Sequence, residues 1–456
     1  MEPAAQTARN AIVPPRAEFG PPSNPRILMT PIARLLGLAA LAPSLLLAQS
    51  DPVVESRAQY RQAVQAYEAG DYPAFLEHAR AAQQLRPAHG GVGYALASAY
   101  ALNGDTANAL ASLRHFAALG YSADPAPDSA FASLRGSDGL AQVERQLARN
   151  REPIVRSTVV FELPERDLLT EGVAYDPRDA VFYIGSVHRR KIVRMTADGR
   201  FSDLVSFGKK APWAPLGMKV DAVRRLLWVA VAALPQSEGF APADSNRSGL
   251  VRVDLETGKI TGEYEVPRDG RPHTLGDVVL SREGDAYSSD SRAPTIYRVT
   301  ARRDSLENFL ESPLLLSAQG LAFTPDERRM YVADYARGIV AIEMSTRTAA
   351  LLATADTVLA LGIDGLYYHK GALIGIQNGV EPHRVVRLEL SGDGSRIRRS
   401  VAIERAHPKY LEPTLGVLVN RDLYYVANSQ WEQFGEDGRV ASPDSLRRPV
   451  VLRLRL

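Results

Sequence analysis

Cysteine is missing from the 456-residue sequence, and so are several motifs that would define a catalytic class. Without cysteine the chain has no disulfide bond, no thiolate metal centre and no cysteine nucleophile. It also lacks a G-x-x-x-x-G-K-[ST] phosphate-binding loop and a G-x-S-x-G nucleophile elbow, which argues against a P-loop nucleotide hydrolase and an elbow-type serine hydrolase. The 54 Lys and Arg residues and 52 Asp and Glu residues are dispersed. This balance gives no electrostatic case for a nucleic-acid partner.

Long apolar runs are scarce as well. Residues 35–47 form one short run, preceded by Arg34 and followed by Ala48-Gln49-Ser50, whose small residues suit a cleavage site. This pattern predicts that residues 1–50 are an N-terminal extension and a secretory signal peptide, with Met1 or Met29 as the true start. The alternative is a buried or membrane-anchoring helix. We therefore expect a periplasmic or secreted protein with no membrane span in the mature chain.

Residues 51–150 are rich in Ala, Leu, Gln and Arg at helical spacing. The pair Gly70-Asp71 recurs as Gly104-Asp105, and Leu76 recurs as Leu110, both after 34 residues. That period is typical of tetratricopeptide repeats, which form one helix-turn-helix each. We predict a helical module of two such repeats and a helical cap. Repeats of this kind bind peptides or partner proteins, although a spacer or dimerisation element is equally consistent with the pattern.

A second repeat fills the rest of the chain. A small turn residue, an apolar run, a polar turn and a second apolar run recur six times. The repeat positions follow one another at intervals of 43 to 60 residues, and they are Gly172, Gly217, Asp277, Gly320, Gly365 and Gly416. A period of this size in strand-rich sequence predicts a six-bladed β-propeller, an all-β fold, over residues 154–456. Residues 154–163 and 449–456 both have strand patterns, and we expect them to complete one blade together.

The residue before each repeat position is expected to point into one shared site at the channel. These residues are Glu171, Leu216, Gly276, Gln319, Asp364 and Leu415. Two of them are carboxylates and one is a carboxamide, and Asp277 adds a third carboxylate. Oxygen ligands from separate loops suit a hard cation such as Ca²⁺, whereas the absence of His from these positions argues against a zinc centre.

Three segments also resemble a known family. Residues 317–326 (S-A-Q-G-L-A-F-T-P-D), followed by Tyr331-Val332-Ala333-Asp334, resemble the phrase P-N-G-L-A-F-S-P-D…Y-V-A-D of the SMP-30/gluconolactonase/LRE-like propellers. Residues 275–279 (L-G-D-V-V) resemble the family's P-N-D-V-V, and residues 363–365 (I-D-G) resemble its P-D-G. The resemblance covers residues 159–456 and implies a six-bladed propeller with metal-dependent lactonase activity.

The resemblance also implies roles for individual residues. The family's metal ligands fall on Glu171, Gln319 and Asp364, and Asp364 is also the expected general base. A substrate-side Asn falls on Gly276, beside Asp277, so Asp277 becomes a substrate-binding candidate. The sequence departs from the family pattern at two places: Gln319 is one methylene longer than the usual Asn, and Gly276 has no side chain.

Other residues near the repeat positions have weaker signals. His273 precedes the third repeat, and we take it as a substrate-binding residue or an acid/base at the channel mouth, or as a hydrogen-bonding loop residue. Trp431 either flanks a ligand or packs, and Gln377-Asn378-Gly379 is interpreted as an ordinary turn. We therefore expect an exported, Ca²⁺-dependent hydrolase of a small-molecule lactone or ester. The alternative is a non-catalytic propeller that binds a ligand or a protein, with the helical module binding a partner.

Overall fold

The computed structural model describes residues 51–196, 198–208, 211–440 and 442–456. The predicted extension and signal peptide, residues 1–50, lie outside this part of the chain. The described residues divide into two compact units. One extends to Ala117 and includes Asp124–Arg145, and the other comprises Ala118–Ala123 and Gln146–Leu456. No helix in the described ranges combines the length and apolar character needed to cross a bilayer.

Helices make up the N-terminal part of the described chain. They are α1 (Pro52–Ala69), α2 (Tyr72–Leu85), α3 (Gly90–Leu102), α4 (Thr106–Ala118) and α5 (Asp138–Arg151), with a 3₁₀ segment at Ser129–Leu134. The helical segment predicted from the sequence is therefore present. Its likeness to tetratricopeptide repeats stays a prediction.

The two turns that recur after 34 residues have the same construction. Gly70 and Gly104 both have positive φ, 76° and 80°, which ends α1 and α3 in the left-handed region that glycine tolerates. The Asp71 carboxylate then accepts a hydrogen bond from the Ala74 amide at 3.1 Å and begins α2. Asp105 does the same for the Asn108 amide at 3.1 Å and begins α4. The Gly-Asp pair therefore ends one helix and caps the next.

Six sheets form the propeller, as predicted. Blade 1 contains β2 (Thr170–Asp176), β3 (Val181–Ser186), β4 (Lys191–Thr196) and β5 (Phe201–Ser206), and blade 2 contains β6 (Ala214–Asp221), β7 (Leu226–Ala232), β8 (Ser248–Asp254) and β9 (Ile260–Glu265). Blade 3 contains β10 (Leu275–Leu280), β11 (Ala286–Asp290), β12 (Thr295–Val299) and β13 (Leu306–Glu311). Blade 4 contains β14 (Ala318–Phe323), β15 (Arg329–Asp334), β16 (Gly338–Glu343) and β17 (Thr348–Leu351).

Blade 5 has an additional strand. It contains β19 (Ile363–His369), β20 (Ala372–Gln377), β21 (Arg384–Leu390) and β22 (Arg396–Arg405), and the short β18 (Ala353–Thr354) pairs parallel to β22. Blade 6 contains β23 (Gly416–Val419), β24 (Asp422–Val426), β25 (Val450–Arg455) and β1 (Thr158–Glu162). The antiparallel pairing of β1 with β25 confirms the prediction that strands from the two ends of the propeller sequence complete one blade. This pairing covers an edge of β25 that would otherwise be open.

The repeat positions lie in β-bulges. In five blades the pairing between the first two strands shifts register at the repeat dipeptide, and the flanking pairs are Thr170/Val173, Pro215/Met218, Leu275/Val278, Ala318/Leu321 and Ile363/Leu366. A bulge bends a strand and re-aims its side chains. Glu171, Gln319 and Asp364 therefore leave the regular alternation of their strands. In blade 6 the first strand begins at Gly416 and no such shift is present.

Glycine at these bulges permits neighbouring blades to touch. A Cβ on Gly217 would lie 2.5 Å from Asp277 Oδ1 and 2.7 Å from the Gly276 carbonyl oxygen. A Cβ on Gly320 would lie 2.5 Å from the Asp364 carbonyl oxygen. Gly276 differs, because the nearest atom to its Cβ would be Gln319 Oε1 at 3.4 Å, an ordinary contact.

Substitution of these glycines tests this close approach. Gly320→Ala should lower the free energy of unfolding by about 1–3 kcal/mol, because the new methyl group forces apart the first strands of blades 4 and 5. Gly276→Ala is the matched control and should change it by less than about 1 kcal/mol. Thermal and urea unfolding of both variants measures the difference. Equal stability of the two variants would contradict this account of the glycine positions.

Candidate functional site

The first strands of the blades form a continuous ring. The Leu415 amide donates to the Glu171 carbonyl oxygen at 3.2 Å, and the Thr414 hydroxyl donates to the same oxygen at 2.8 Å. These bonds join blade 6 to blade 1. The Gly416 amide donates to the Tyr367 hydroxyl at 2.5 Å and joins blade 5 to blade 6. The bulge residues of separate blades are thereby held around one channel.

Asp364 lies among other acidic groups in this ring. Its side chain is buried, and the residue is 9% exposed. Burial raises its pKa to about 7, and the charges of Asp277 and Glu412 contribute to the rise. Asn378 Nδ2 donates to Asp364 Oδ2 at 3.0 Å, which opposes the rise and fixes the carboxylate. A carboxyl with this pKa exchanges a proton near neutral pH.

Glu171 is electrostatically coupled to Asp364. Burial raises the pKa of Glu171 well above its usual range, and the charge of Asp364 adds to the effect. The Trp431 indole N–H donates to Glu171 Oε2 at 2.7 Å and stabilises the ionised form. The residues predicted to hold a metal in blades 1 and 5 thus lie close enough for each charge to affect the other.

Asp277 is the third carboxylate of the group and the one with a cationic neighbour. Burial raises its pKa to about 6, while the Val278 amide, which donates at 2.8 Å, and the Lys219 charge oppose the rise. Burial lowers the pKa of Lys219 in turn, and Asp277 opposes that change. Lys219 is thus a cationic neighbour of Asp277, and its charge favours the ionised carboxylate.

Gln319 presents its amide oxygen to the blade 3 side of the ring. The side-chain Nε2 donates to Ser317 Oγ at 3.3 Å. The backbone carbonyl oxygen of Gln319 accepts a hydrogen bond from Ser289 Oγ at 2.5 Å. Within the described ranges no hydrogen bond reaches Gln319 Oε1. This oxygen is therefore available to a ligand.

His273 belongs to a different cluster. Its Nδ1 lies 2.7 Å from Asp290 Oδ2 and its Nε2 lies 3.0 Å from Asp269 Oδ1. Asp290 also accepts a hydrogen bond from the Thr274 amide at 3.0 Å. His273, Asp269 and Asp290 together therefore fix the loop that leads into β10. Both ring nitrogens are thus engaged by carboxylates outside the channel group. A substrate-binding role for His273 stays a prediction.

Three residues of the channel group were not predicted from the sequence: Lys219, Asn378 and Glu412. Trp431 was predicted either to flank a ligand or to pack, and it binds Glu171. Burial, followed by the charge of Glu432, raises the pKa of Glu412 to about 7. The interpretation of Asn378 as part of an ordinary turn was incomplete, because its side chain binds Asp364. A signal existed for Asn378, since it directly follows Gln377, the last residue of the second strand in its blade. Glu412 and Trp431 lie in loops where the repeat gives no register.

The donor set suits a hard cation. Glu171, Gln319 and Asp364 supply two carboxylates and an amide oxygen, the ligand types that Ca²⁺ prefers. Burial and neighbouring carboxylates raise the pKa values of Glu171 and Asp364. A cation bound between them would therefore be stabilised by charges that lack a balancing partner among the described residues. The described residues contain no group of three or more His, Asp or Glu side chains that could hold a metal ion by themselves. An ion at this place therefore requires the Gln319 oxygen or further ligands such as water.

Solved structures of other propellers are similar to this chain. A gluconolactonase from Xanthomonas campestris is 15% identical with a TM-score of 0.44, covering 67% of this chain and 94% of that one. A calcium-binding protein, regucalcin, from Agrobacterium tumefaciens is 18% identical with a TM-score of 0.44, covering 66% and 93%. A virginiamycin B lyase from Staphylococcus aureus is 16% identical with a TM-score of 0.44, covering 65% and 84%. No curated protein matches the chain.

A family model matches part of the propeller. Residues 169–366 match the SMP-30/Gluconolactonase/LRE-like region. This stretch runs from blade 1 into blade 5, so that part of the propeller is similar to the SMP-30/Gluconolactonase/LRE-like region. The residues predicted from the sequence all lie inside the matched range, and they are Glu171, His273, Asp277, Gln319 and Asp364. Asn378, Glu412 and Trp431 lie beyond it.

The raised pKa of Asp364 predicts a pH-dependent stability. Its folded-state pKa of about 7 lies above the ordinary value of 3.8, so the native carboxyl keeps a proton that the unfolded chain has lost. Its contribution to the free energy of unfolding is therefore greatest below about pH 4 and falls as pH rises to about 7. Asp364→Asn should stabilise the protein at pH 8 by up to a few kcal/mol, and much less at pH 4.5.

Thermal unfolding in the presence of a chelator at the two pH values measures this difference. Asp437→Asn is the control, because it makes the same chemical change at a side chain that is 61% exposed. A Tm difference between Asp364→Asn and wild type that is the same at pH 4.5 and pH 8 would show that the Asp364 pKa is not raised.

Proposed function

We propose that the protein is an exported, metal-dependent hydrolase of a lactone or related ester. The observation that carries the proposal is the convergence of Glu171, Asp277 and Asp364, from three blades, into one buried group whose charges act on each other. The family match over residues 169–366 supports a lactonase-type propeller. Export is supported by the apolar run at residues 35–47.

Asp364 is the proposed general base. Hydrolysis requires a water molecule to attack the acyl carbon, with loss of one water proton and cleavage of the bond between the acyl carbon and the ring oxygen. Since Asn378 occupies Asp364 Oδ2, Oδ1 is the atom that accepts this proton and then returns it to the leaving alkoxide.

Glu171, Gln319 and Asp364 are the proposed ligands of a Ca²⁺-type ion. When bound, such an ion supplies Lewis-acid polarisation of the acyl oxygen. Asp277 is the proposed substrate-binding carboxylate, and the nearby Lys219 favours its ionised form. His273 is a second substrate-binding candidate. The helical unit is proposed to bind a protein partner, and a non-catalytic, ligand-binding propeller is the alternative if no hydrolysis is found.

Calcium binding is the first experimental test. Calorimetric titration of the purified chain with Ca²⁺ should show saturable binding, and Glu171→Gln should weaken it at least about tenfold because one charged ligand becomes neutral. Asp437→Asn, which changes an exposed carboxylate of the same chain, serves as the control. Absence of binding in the wild type would exclude the metal-dependent reaction and favour the binding propeller.

Two substitutions test the proposed base and the proposed substrate-binding histidine. Asp364→Asn should lower kcat for lactone hydrolysis by about 10²–10⁴, since the base is lost while shape is kept. His273→Gln should raise KM, and it should also lower Tm because it breaks the contacts with Asp269 and Asp290. Steady-state kinetics and thermal melts measure both. A lowered Tm with an unchanged KM in His273→Gln would instead indicate a purely structural histidine.

A further inference from the structure

One long loop brings an aromatic side chain to the carboxylate group. Of the residues between β24 and β25, the structure describes 427–440 and 442–449, and two amide side chains join the two ends of this connection. Asn428 Oδ1 accepts the Val450 amide at 2.7 Å, and its Nδ2 donates to the Arg448 carbonyl oxygen at 3.0 Å. Gln430 Oε1 accepts the Arg447 amide at 2.6 Å, and its Nε2 donates to the Arg447 carbonyl oxygen at 2.9 Å. The loop is thereby a fixed element next to the channel.

Trp431 is held at both its backbone and its side chain. Its indole N–H donates to Glu171 Oε2 at 2.7 Å, and its backbone N–H donates to the Glu412 carboxylate. The preceding Ser429 donates from its amide and from its hydroxyl to the Glu412 carbonyl oxygen, each at 3.1 Å. The orientation of the indole is therefore set by two members of the channel group.

Apart from the carboxylates bound by its two N–H groups, Trp431 has apolar neighbours. Trp431 packs, half-buried, against an apolar cluster that includes Leu216, Phe434 and Leu446. Leu216 occupies the bulge position of blade 2, where other blades carry Glu171 or Asp364. The polar atom of the indole is already committed to Glu171. A hydroxyl group of a ligand placed here would lose its water hydrogen bonds without replacement, which is costly.

In blade 3 the bulge position of the channel group has no side chain. Gly276 stands at the blade 3 position, and its Cβ direction meets Gln319 Oε1 at 3.4 Å and Ser289 Oγ at 3.9 Å. A methyl group would fit there at ordinary contact distances, yet no side chain is present. The site therefore offers an aromatic ring at Trp431 and no side-chain partner for a ligand hydroxyl group at the Gly276 position.

We propose that Trp431 is the specificity-determining residue and that it selects lactones or esters with an alkyl chain over polyhydroxylated ones. This inference rests on the proposed hydrolase function. The alkyl chain lies against the indole ring while the acyl carbon faces Asp364. Trp431 packs against the apolar cluster that contains Leu216 and Phe434.

A homologous series of γ-lactones, with side chains from methyl to octyl, tests the proposal against D-glucono-δ-lactone. In the wild type, kcat/KM should rise about fourfold for each methylene that reaches the indole ring, the equivalent of about 0.8 kcal/mol. Trp431→Ala should flatten this dependence through KM. Trp431→Phe should keep the dependence and lower kcat equally for all members, because the ring remains while the hydrogen bond to Glu171 is lost.

Gly276→Asn is the matched gain-of-function variant. It should raise activity on D-glucono-δ-lactone by supplying an amide, and leave the chain-length dependence unchanged. A wild type that hydrolyses the series without chain-length dependence, or that prefers the sugar lactone, would overturn the inference while the proposed function stands.

Binding separates this inference from the proposed function if the wild type hydrolyses no lactone. The γ-lactams with the same side chains resist hydrolysis, and calorimetry measures their dissociation constants. Affinity that increases with chain length in the wild type and not in Trp431→Ala would support the indole contact in a binding propeller. Affinity independent of chain length in both proteins would overturn it.

Discussion

The rest of the structure depends on the backbone contact between the first strands of neighbouring blades. At Gly217 and Gly320 these strands approach so closely that a methyl group has no space. Because of this approach, a bulge in one blade is packed against the bulge of the next, and side chains from separate blades share one small volume. The propeller is thus both a scaffold and the means by which distant carboxylates meet. A regular strand without a bulge would direct half of these side chains into the spaces between blades.

Such convergence has an electrostatic cost. Asp277 and Asp364 are buried and Glu412 is half-buried, and each has a pKa raised to about 6 or 7 by loss of water, with like charges adding to the rise for Asp364 and Glu412. Close-packed proteins seldom retain a group of this kind without use, since replacement by neutral side chains would stabilise the fold. The protein offsets part of the cost with single, well-placed donors: Asn378 for Asp364 and Trp431 for Glu171. The same donors fix the carboxylates in one orientation.

Periodicity explains which features could be predicted from the sequence. The six blades, their closure, and the positions of Glu171, Gln319 and Asp364 follow from a repeat that imposes one geometry at equivalent places. Lys219 lies inside a repeat, but the sequence does not predict its interaction with Asp277. That interaction depends on how blades 2 and 3 pack against each other. Glu412 and Trp431 lie in connections of irregular length, where the repeat carries no information. His273 shows the converse, because its place beside a repeat position suggested the channel, while local carboxylates engage both ring nitrogens.

The bond between Trp431 and Glu171 spans 260 residues of the chain. Its partners lie in the first and the last blades, and β1 reaches its place only by pairing with β25. The carboxylate group therefore cannot assemble from any partial propeller during synthesis. Contacts of such high sequence separation form late and slowly, because the loop that they close is almost the whole domain. The bond between Trp431 and Glu171 forms only when the first and last blades are both in place. A truncated chain that lacks the last blade therefore loses this bond while most of its blades remain.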